Sequence, residues 1–458
     1  MMSISKLATV TLLAAAVASC STVSRLNPFS GGDSKEDEAA DKAGRIAMVS
    51  SDQVLTPDPE LVSTAVILPD SVPVGSWAQA GRTSNKSAGH VRAGTDFEVA
   101  WKWDAAAGSE TNRALSVPPV AADGRIFVLD ASQRLFAVDA NTGKTLWRKE
   151  LQSGNDRDQR AFGGGLAVAG DRLIVASGFG FVAALDASSG SEIWKRDTEA
   201  PMTGSPAIYE GRVFIVSNNN EFSALSLDDG SLLWTDQAIA ESARVLSSPS
   251  PAAVDDVIVT PYSSGEVIAY LPANGRRLWT DSLTRSNRFT PISAINDIAS
   301  RPVLNQGMVY ASSQSGVLAG IDGRSGTRVW ALPFGTTQAP VVAGEFLFAV
   351  GVDGQLICVE ALSGRVVWVR QLQAFEKEEK KKNRISYAGP LLASNRLVTV
   401  SSDGRLSAFS PQTGELLEEK NLIRTGRFGA DAGFFIEPIA YDGRIILLAD
   451  NGTLFSIR

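Results

Sequence analysis

The stretch Ala137-Val138-Asp139-Ala140-Asn141-Thr142-Gly143-Lys144-Thr145-Leu146-Trp147 decides the fold, because its spacing recurs along the chain. A small residue is followed two positions on by a residue that is often Asp, four later by Gly, and four later again by Trp. The copies are Ala184, Asp186, Gly190, Trp194; Ala224, Ser226, Gly230, Trp234; and Ala269, Leu271, Gly275, Trp279. Then come Gly320, Asp322, Gly326, Trp330 and Cys358, Glu360, Gly364, Trp368. A seventh copy, Ala408, Ser410, Gly414, carries Glu418 where Trp should stand. The tryptophans lie 47, 40, 45, 51 and 38 residues apart, so the motif is rigid and insertions fall between repeats. A fixed motif inside a longer period marks a repeat architecture.

Working outward, each motif is preceded by two apolar runs joined by a polar turn. In the first repeat Pro119-Val120-Ala121 leads through Asp123-Gly124 to Arg125-Ile126-Phe127-Val128-Leu129, and Arg134–Val138 follows. Short β-branched or aromatic runs bounded by Gly, Asp and Asn are strands joined by turns. Four strands in a period of about 40–45 residues predict a β-propeller blade. No run keeps the 3.6-residue period that stacked helices would need.

The strand-connecting turn occurs eight times, at Asp123-Gly124, Gly170-Asp171, Glu210-Gly211, Asp255-Asp256, Gln306-Gly307, Gly344-Glu345, Asn395-Arg396 and Asp442-Gly443. The last repeat lacks an outer strand, because the chain stops at Arg458. Residues 97–103, Phe97-Glu98-Val99-Ala100-Trp101-Lys102-Trp103, supply a lone strand with the missing tryptophan. The expectation is an all-β, eight-bladed propeller of four-stranded antiparallel blades, closed by this N-terminal strand, which hides an edge that would otherwise be exposed. Within the motif, Gly provides a positive φ, Asp bonds the amides of its own turn, the small residue lets neighbouring sheets approach, and Trp147, Trp194, Trp234, Trp279, Trp330 and Trp368 fill the gaps between blades.

The N-terminus reads differently. Lys6, the apolar stretch Leu7–Val17 broken by Thr9 and Thr11, and then Ala18-Ser19-Cys20 have the layout of a secretory signal and are too short to span a bilayer. The ending resembles a bacterial lipobox, which implies removal of residues 1–19 and acylation of Cys20. Ser21 resembles the signal for passage to the outer membrane. Residues 20–76 are expected to be the lipidated cysteine and a flexible tether; within them, 44–76 have no assignable structure. The propeller domain then runs over 77–458.

Composition removes several chemistries. The chain has two cysteines and one histidine; Cys20 is the acylation site and Cys358 fills a small-residue slot. A His-based triad or a zinc cluster lacks its residues. His90 lies outside the blades with no partner evident in sequence. A net charge of −7 argues against nucleic acid as a partner. The charge run Glu376-Lys377-Glu378-Glu379-Lys380-Lys381-Lys382, between the sixth and seventh blades, reads as a solvated loop or short helix.

The Ala137–Trp147 motif resembles the tryptophan-docking motif of pyrroloquinoline-quinone (PQQ) dehydrogenases, a motif shared with the BamB family of propeller lipoproteins in the machinery that folds outer-membrane β-barrels. The dehydrogenases carry adjacent cysteines and a calcium cluster for which this chain has no counterpart, whereas lipobox, length and missing catalytic residues resemble BamB. That resemblance implies a non-enzymatic scaffold, no cofactor, and an outer-membrane anchor facing the periplasm. It implies binding to periplasmic domains of the barrel-inserting subunit, with nascent outer-membrane proteins as further partners. The family's contact arginine matches Arg244, before Ser247-Ser248-Pro249, and its acidic position matches Asp297. The family's leucines before the arginine are Ser242 and Ala243 here, with Leu246 as a substitute apolar contact, and its second acid is Ala299. The plainer reading of Arg244 and Asp297 is a loop ion pair of small energetic value. The alternatives are a PQQ-dependent periplasmic oxidoreductase and a generic propeller that binds another envelope component.

Overall fold

The structure, a computed structural model, describes residues 54–111, 113–152, 161–239, 249–284, 298–423 and 432–458. Every main sheet is a four-stranded antiparallel meander, and there are eight of them. Blade one is Val120–Ala122, Arg125–Leu129, Arg134–Asp139 and Thr145–Glu150, from the innermost strand outward. Blade eight takes Ile439–Tyr441, Arg444–Leu448 and Leu454–Ile457 from the C-terminus and its outer strand, Val99–Trp103, from the N-terminus. No α-helix occurs among the described residues.

Burial explains the sequence pattern. The three inner strands of a blade are covered on both faces by neighbouring blades, so they read as unbroken apolar runs; Ile126–Leu129 are all buried. The outer strand is wetted, and Thr145–Glu150 are exposed or half-exposed throughout. The cores therefore lie between blades. One such cluster joins Phe127 and Leu135 of blade one to Leu166 and Val175 of blade two.

The inner turns explain the Asp-Gly pairs. Asp123 and Gly124 have φ of +49° and +75°, the two positive angles of a type I′ turn, whose twist suits tight hairpins. In the outer hairpin Asp139 Oδ1 accepts from the amides of Asn141 and Thr142 at 3.1 and 2.7 Å. The Thr142 hydroxyl, which donates to the same oxygen at 2.8 Å, and then these amides hold the Asp139 carboxyl below its usual range.

The small residue has a different role from the one its pattern suggests. Ala137 pairs across the strands with Trp147 of its own blade, and a Cβ on the equivalent Gly320 would fall 2.4 Å from the Trp330 ring. It makes room for its own tryptophan. Close approach to the next blade depends instead on the glycine, since a Cβ on Gly190 would sit 2.9 Å from Trp147 of blade one.

Cys358 follows the same rule, buried opposite Trp368 with its thiol pKa pushed up by burial. The charge run forms an exposed hairpin, Phe375–Lys377 with Lys382–Arg384, around a 3-10 turn at Glu378–Lys380.

A larger departure concerns the tether. Composition predicts a flexible segment through residue 76, yet the chain from Val54 onward packs on the ring. Leu55, Leu61, Val66 and Val74 are buried in inter-blade cores. The pattern missed this because the stretch has neither strand nor helix periodicity; its apolar residues are placed by the surface they cover.

Candidate functional site: the axis and the long-connection face

Antiparallel meanders sort their connections onto two faces. One face carries the two-residue inner turns and the Asp–Gly hairpins. On the other, each blade's outer strand ends and the next blade's inner strand begins; of the connections between them, 198–206, 333–340 and 372–386 are described throughout. These long connections are where sequence can vary without disturbing the blades.

Residues 74–94 cross the axis against the innermost strands. Trp77 exchanges backbone hydrogen bonds with Ala121 of blade one, and Ala78 O accepts from Val168 of blade two. The Gln79 side chain bonds both backbone groups of Ile208 in blade three. Ser84 O and Asn85 O accept from Ala253 and Leu304 in blades four and five, Val91 exchanges bonds with Leu392 and Ser394 in blade seven, and Gly94 N donates to Gly443 O in blade eight. His90, without a partner in the sequence, finds two here: Nδ1 lies 2.6 Å from Pro69 O, and Nε2 accepts from Asn395 N at 2.9 Å.

At the centre Arg301 and Glu437 form a two-point ion pair, Nη1–Oε1 and Nη2–Oε2 both 2.6 Å, with each side chain 13% exposed. Gly81 packs against this pair, and a Cβ there would lie 2.4 Å from Arg301 Nε. Lys86 is fully buried and donates to Gln79 Oε1 at 3.0 Å. Burial, and then repulsion from Arg301, lower its pKa well below the lysine norm, while Glu437 opposes the shift. A funnel of about 340 Å³ opens beside the ion pair, lined among others by Leu115, Gln338, Tyr387 and Phe435.

Of the residues the sequence singled out, the six motif tryptophans lie on outer strands, each docked on the following blade. Cys20, Arg244, Leu246 and Asp297 lie outside the described residues. In chain order Arg244 and Leu246 fall between Leu232–Gln237 and Ala252–Val254, and Asp297 between Arg277–Ser282 and Val303–Asn305. These are the connections that enter and leave blade four. Sequence reasoning missed Lys86, Arg301 and Glu437. Arg301 and Glu437 are 136 positions apart, and no local signal joins them.

The fold defines a class: an eight-bladed propeller with PQQ-type docking repeats and an axis crossed by its own chain. A family model described as "Outer membrane protein assembly factor BamB" matches residues 151–370. Another, described as the β-propeller domain of glucose/ethanol/alcohol dehydrogenases, matches residues 93–167. Outer membrane protein assembly factor BamB of Moranella endobia (strain PCIT) is 26% identical over 346 residues, which cover 75% of this chain and 85% of that protein. The crystal structure of BamB from Moraxella catarrhalis matches with a TM-score of 0.61 at 15% identity, over 77% of this chain and 99% of that one. Quinohemoprotein alcohol dehydrogenase from Comamonas testosteroni matches with a TM-score of 0.64 at 14% identity, over 84% of this chain and 80% of that one. The structural likenesses speak for the fold; in sequence, the middle of the chain is similar to the BamB family model and most of the propeller is similar to individual BamB proteins.

The dehydrogenase likeness raises the question of a quinone. The residues at the axis do not fit a calcium-bound one. Arg301 is already held at two points by Glu437, residues 77–86 fill the space behind it, and among the described residues no three His, Cys, Asp or Glu converge on one point. No helix among the described residues is long and apolar enough to cross a membrane.

Proposed function

We propose that this protein is a non-enzymatic scaffold lipoprotein of the machinery that assembles β-barrel proteins in the outer membrane. The observation that carries the reading is its kinship with BamB along most of the propeller, with 85% of a relative's length matched. In this reading Cys20 carries the lipid, the following residues tether the ring to the periplasmic side of the outer membrane, and no cofactor takes part. Arg244, Leu246 and Asp297 contact periplasmic domains of the barrel-inserting subunit, and nascent outer-membrane proteins pass nearby. That these three residues belong to the connections flanking one blade supports their serving one surface.

The test is recovery of the lipidated protein from its own envelope in mild detergent, with mass spectrometry of what accompanies it. Co-purification of the barrel-inserting subunit, lost on Arg244→Glu, is the expected result. Recovery of the intact protein without that subunit overturns the scaffold role. Quinone absorbance retained after incubation with PQQ and Ca²⁺, followed by desalting, would favour the oxidoreductase instead.

A further inference from the structure

Each docking tryptophan is preceded on its outer strand by an aliphatic residue that points outward. Leu146, Ile193, Leu233, Leu278 and Val329 are 36–53% exposed, as is Leu417 before Glu418. Val367 of blade six, at 6%, is the exception. It is covered by the chain's own residues Val54–Leu68. Leu61 and Val66 pack in the same cluster as Val367, and Asp58 N donates to Val366 O at 2.8 Å. Arg365, just after the hairpin glycine, grips the strap with Nε on Asp58 at 2.8 Å and Nη2 on Glu60 at 2.7 Å. The molecule thus displays a recognition rule with its ligand in place: an Arg two positions before an outward aliphatic takes a segment with two acids and a following aliphatic.

The rule discriminates among the other blades. The residue after the hairpin glycine is Lys144, Ser191, Ser231, Arg276, Thr327, Arg365 and Glu415 in blades one to seven. Only blade four repeats the arginine, with Leu278 two positions on. The backbone there is equivalent: Ala269 faces Trp279 and Tyr270 faces Arg277 across a bulge, as Cys358 faces Trp368 and Val359 faces Val366. Arg277 is engaged by Asp236 at 2.7 Å. Arg276 is exposed and makes no ion pair among the described residues. Lysine in blade one lacks the planar fork that lets one side chain serve two carboxylates.

We infer that the outer edge of blade four is a docking site for an extended acidic–aliphatic segment of another protein, with the chemistry of Asp58-Pro59-Glu60-Leu61, held by Arg276 and Leu278. The inference is independent of the assembly role proposed above. The strap supplies the probe: a fluorescein-labelled peptide with the sequence of residues 54–68, titrated into the full chain and followed by anisotropy. Saturable binding is expected, weakened by added salt and weakened about tenfold or more by Arg276→Glu. Leu278→Ser should also weaken it, with the circular dichroism unchanged because both side chains are surface groups. Absence of saturable binding overturns the inference, as does binding that survives Arg276→Glu. Concentration-dependent dimerisation abolished by Arg276→Glu overturns it too, since the occupant would then be a second copy's strap.

Discussion

The interfaces between blades are of two kinds. In seven of them a tryptophan lies on the next blade's hairpin glycine and its Nε1 donates to the carbonyl three residues before that glycine. The pairs run Trp101 to Ala140, Trp147 to Ala187, Trp194 to Leu227, Trp234 to Pro272, Trp279 to Gly323, Trp330 to Ala361 and Trp368 to Pro411, at 2.8–3.1 Å. The interface of blades seven and eight has no such dock. Blade eight has no hairpin there, because its two outer strands, Leu454–Ile457 and Val99–Trp103, come from sequence positions more than three hundred residues apart. A tryptophan at position 418 would have no glycine to lie on. Glu418 instead pairs with Arg396 at 2.8 Å, and Arg396 reaches Thr95 O at 3.0 Å. The seam is stitched by the axial segment, with Ser394 Oγ donating to Ala93 O at 2.7 Å and Gly94 bonded to Gly443. The degenerate seventh motif is thus a consequence of ring closure rather than decay of the repeat.

The largest test of this contrast deletes a dock. Trp330→Ala, at a buried ring, should cost about 3–5 kcal/mol in denaturant unfolding. Of similar size, Glu437→Ala leaves Arg301 and Lys86 without their carboxylate at the axis and should cost about 3–5 kcal/mol. Its companion Lys86→Met should be close to neutral, since a buried amine with a depressed pKa is replaced by an apolar side chain of similar length. A large loss in Lys86→Met would show that the amine is needed for the axial crossing.

A smaller effect separates the glycine's two roles. Gly190→Ala meets both a φ of +73° and the Trp147 ring, whereas Gly124→Ala meets a φ of +75° with nothing within 4 Å. The second should cost about 1–2 kcal/mol for the left-handed backbone alone. The first should cost more, and equal losses would remove the dock from the glycine's explanation. At the seam Glu418→Ala should cost no more than about 1 kcal/mol, being a half-exposed ion pair; a loss matching Trp330→Ala would erase the distinction between the two kinds of interface.

The finest test is by pH. Hydrogen bonds from Ser188 and Ser189 hold Asp186 at a pKa of about 2, below its ordinary value. A depressed carboxylate contributes stability above its unfolded pKa and loses it as pH falls through the folded one. The melting temperature of the native chain should therefore fall between about pH 4 and pH 2 more steeply than that of Asp186→Asn.

Much of this was legible in the residues. Spacing alone gave blade number and the closing strand, because a blade is a local unit whose turns and alternations lie within forty-odd residues. Which of Trp101 and Trp103 docks was settled only by the pairing of blade eight with blade one, where Trp101 lies on Gly143. Of the site, the sequence offered Arg244, Leu246 and Asp297 by resemblance, and these lie outside the described residues. It offered nothing of Lys86, Arg301 and Glu437. Those three meet because eight blades converge on one axis, so distant segments come together without any shared periodicity. The strap at Val54–Leu68 is of the same kind. Its sequence looks unstructured because its partners are on blade six, some three hundred positions away. The chain determined its blades through local turn chemistry and alternation, while closure of the ring decided which side chains would be buried together at its centre and which edge would be covered.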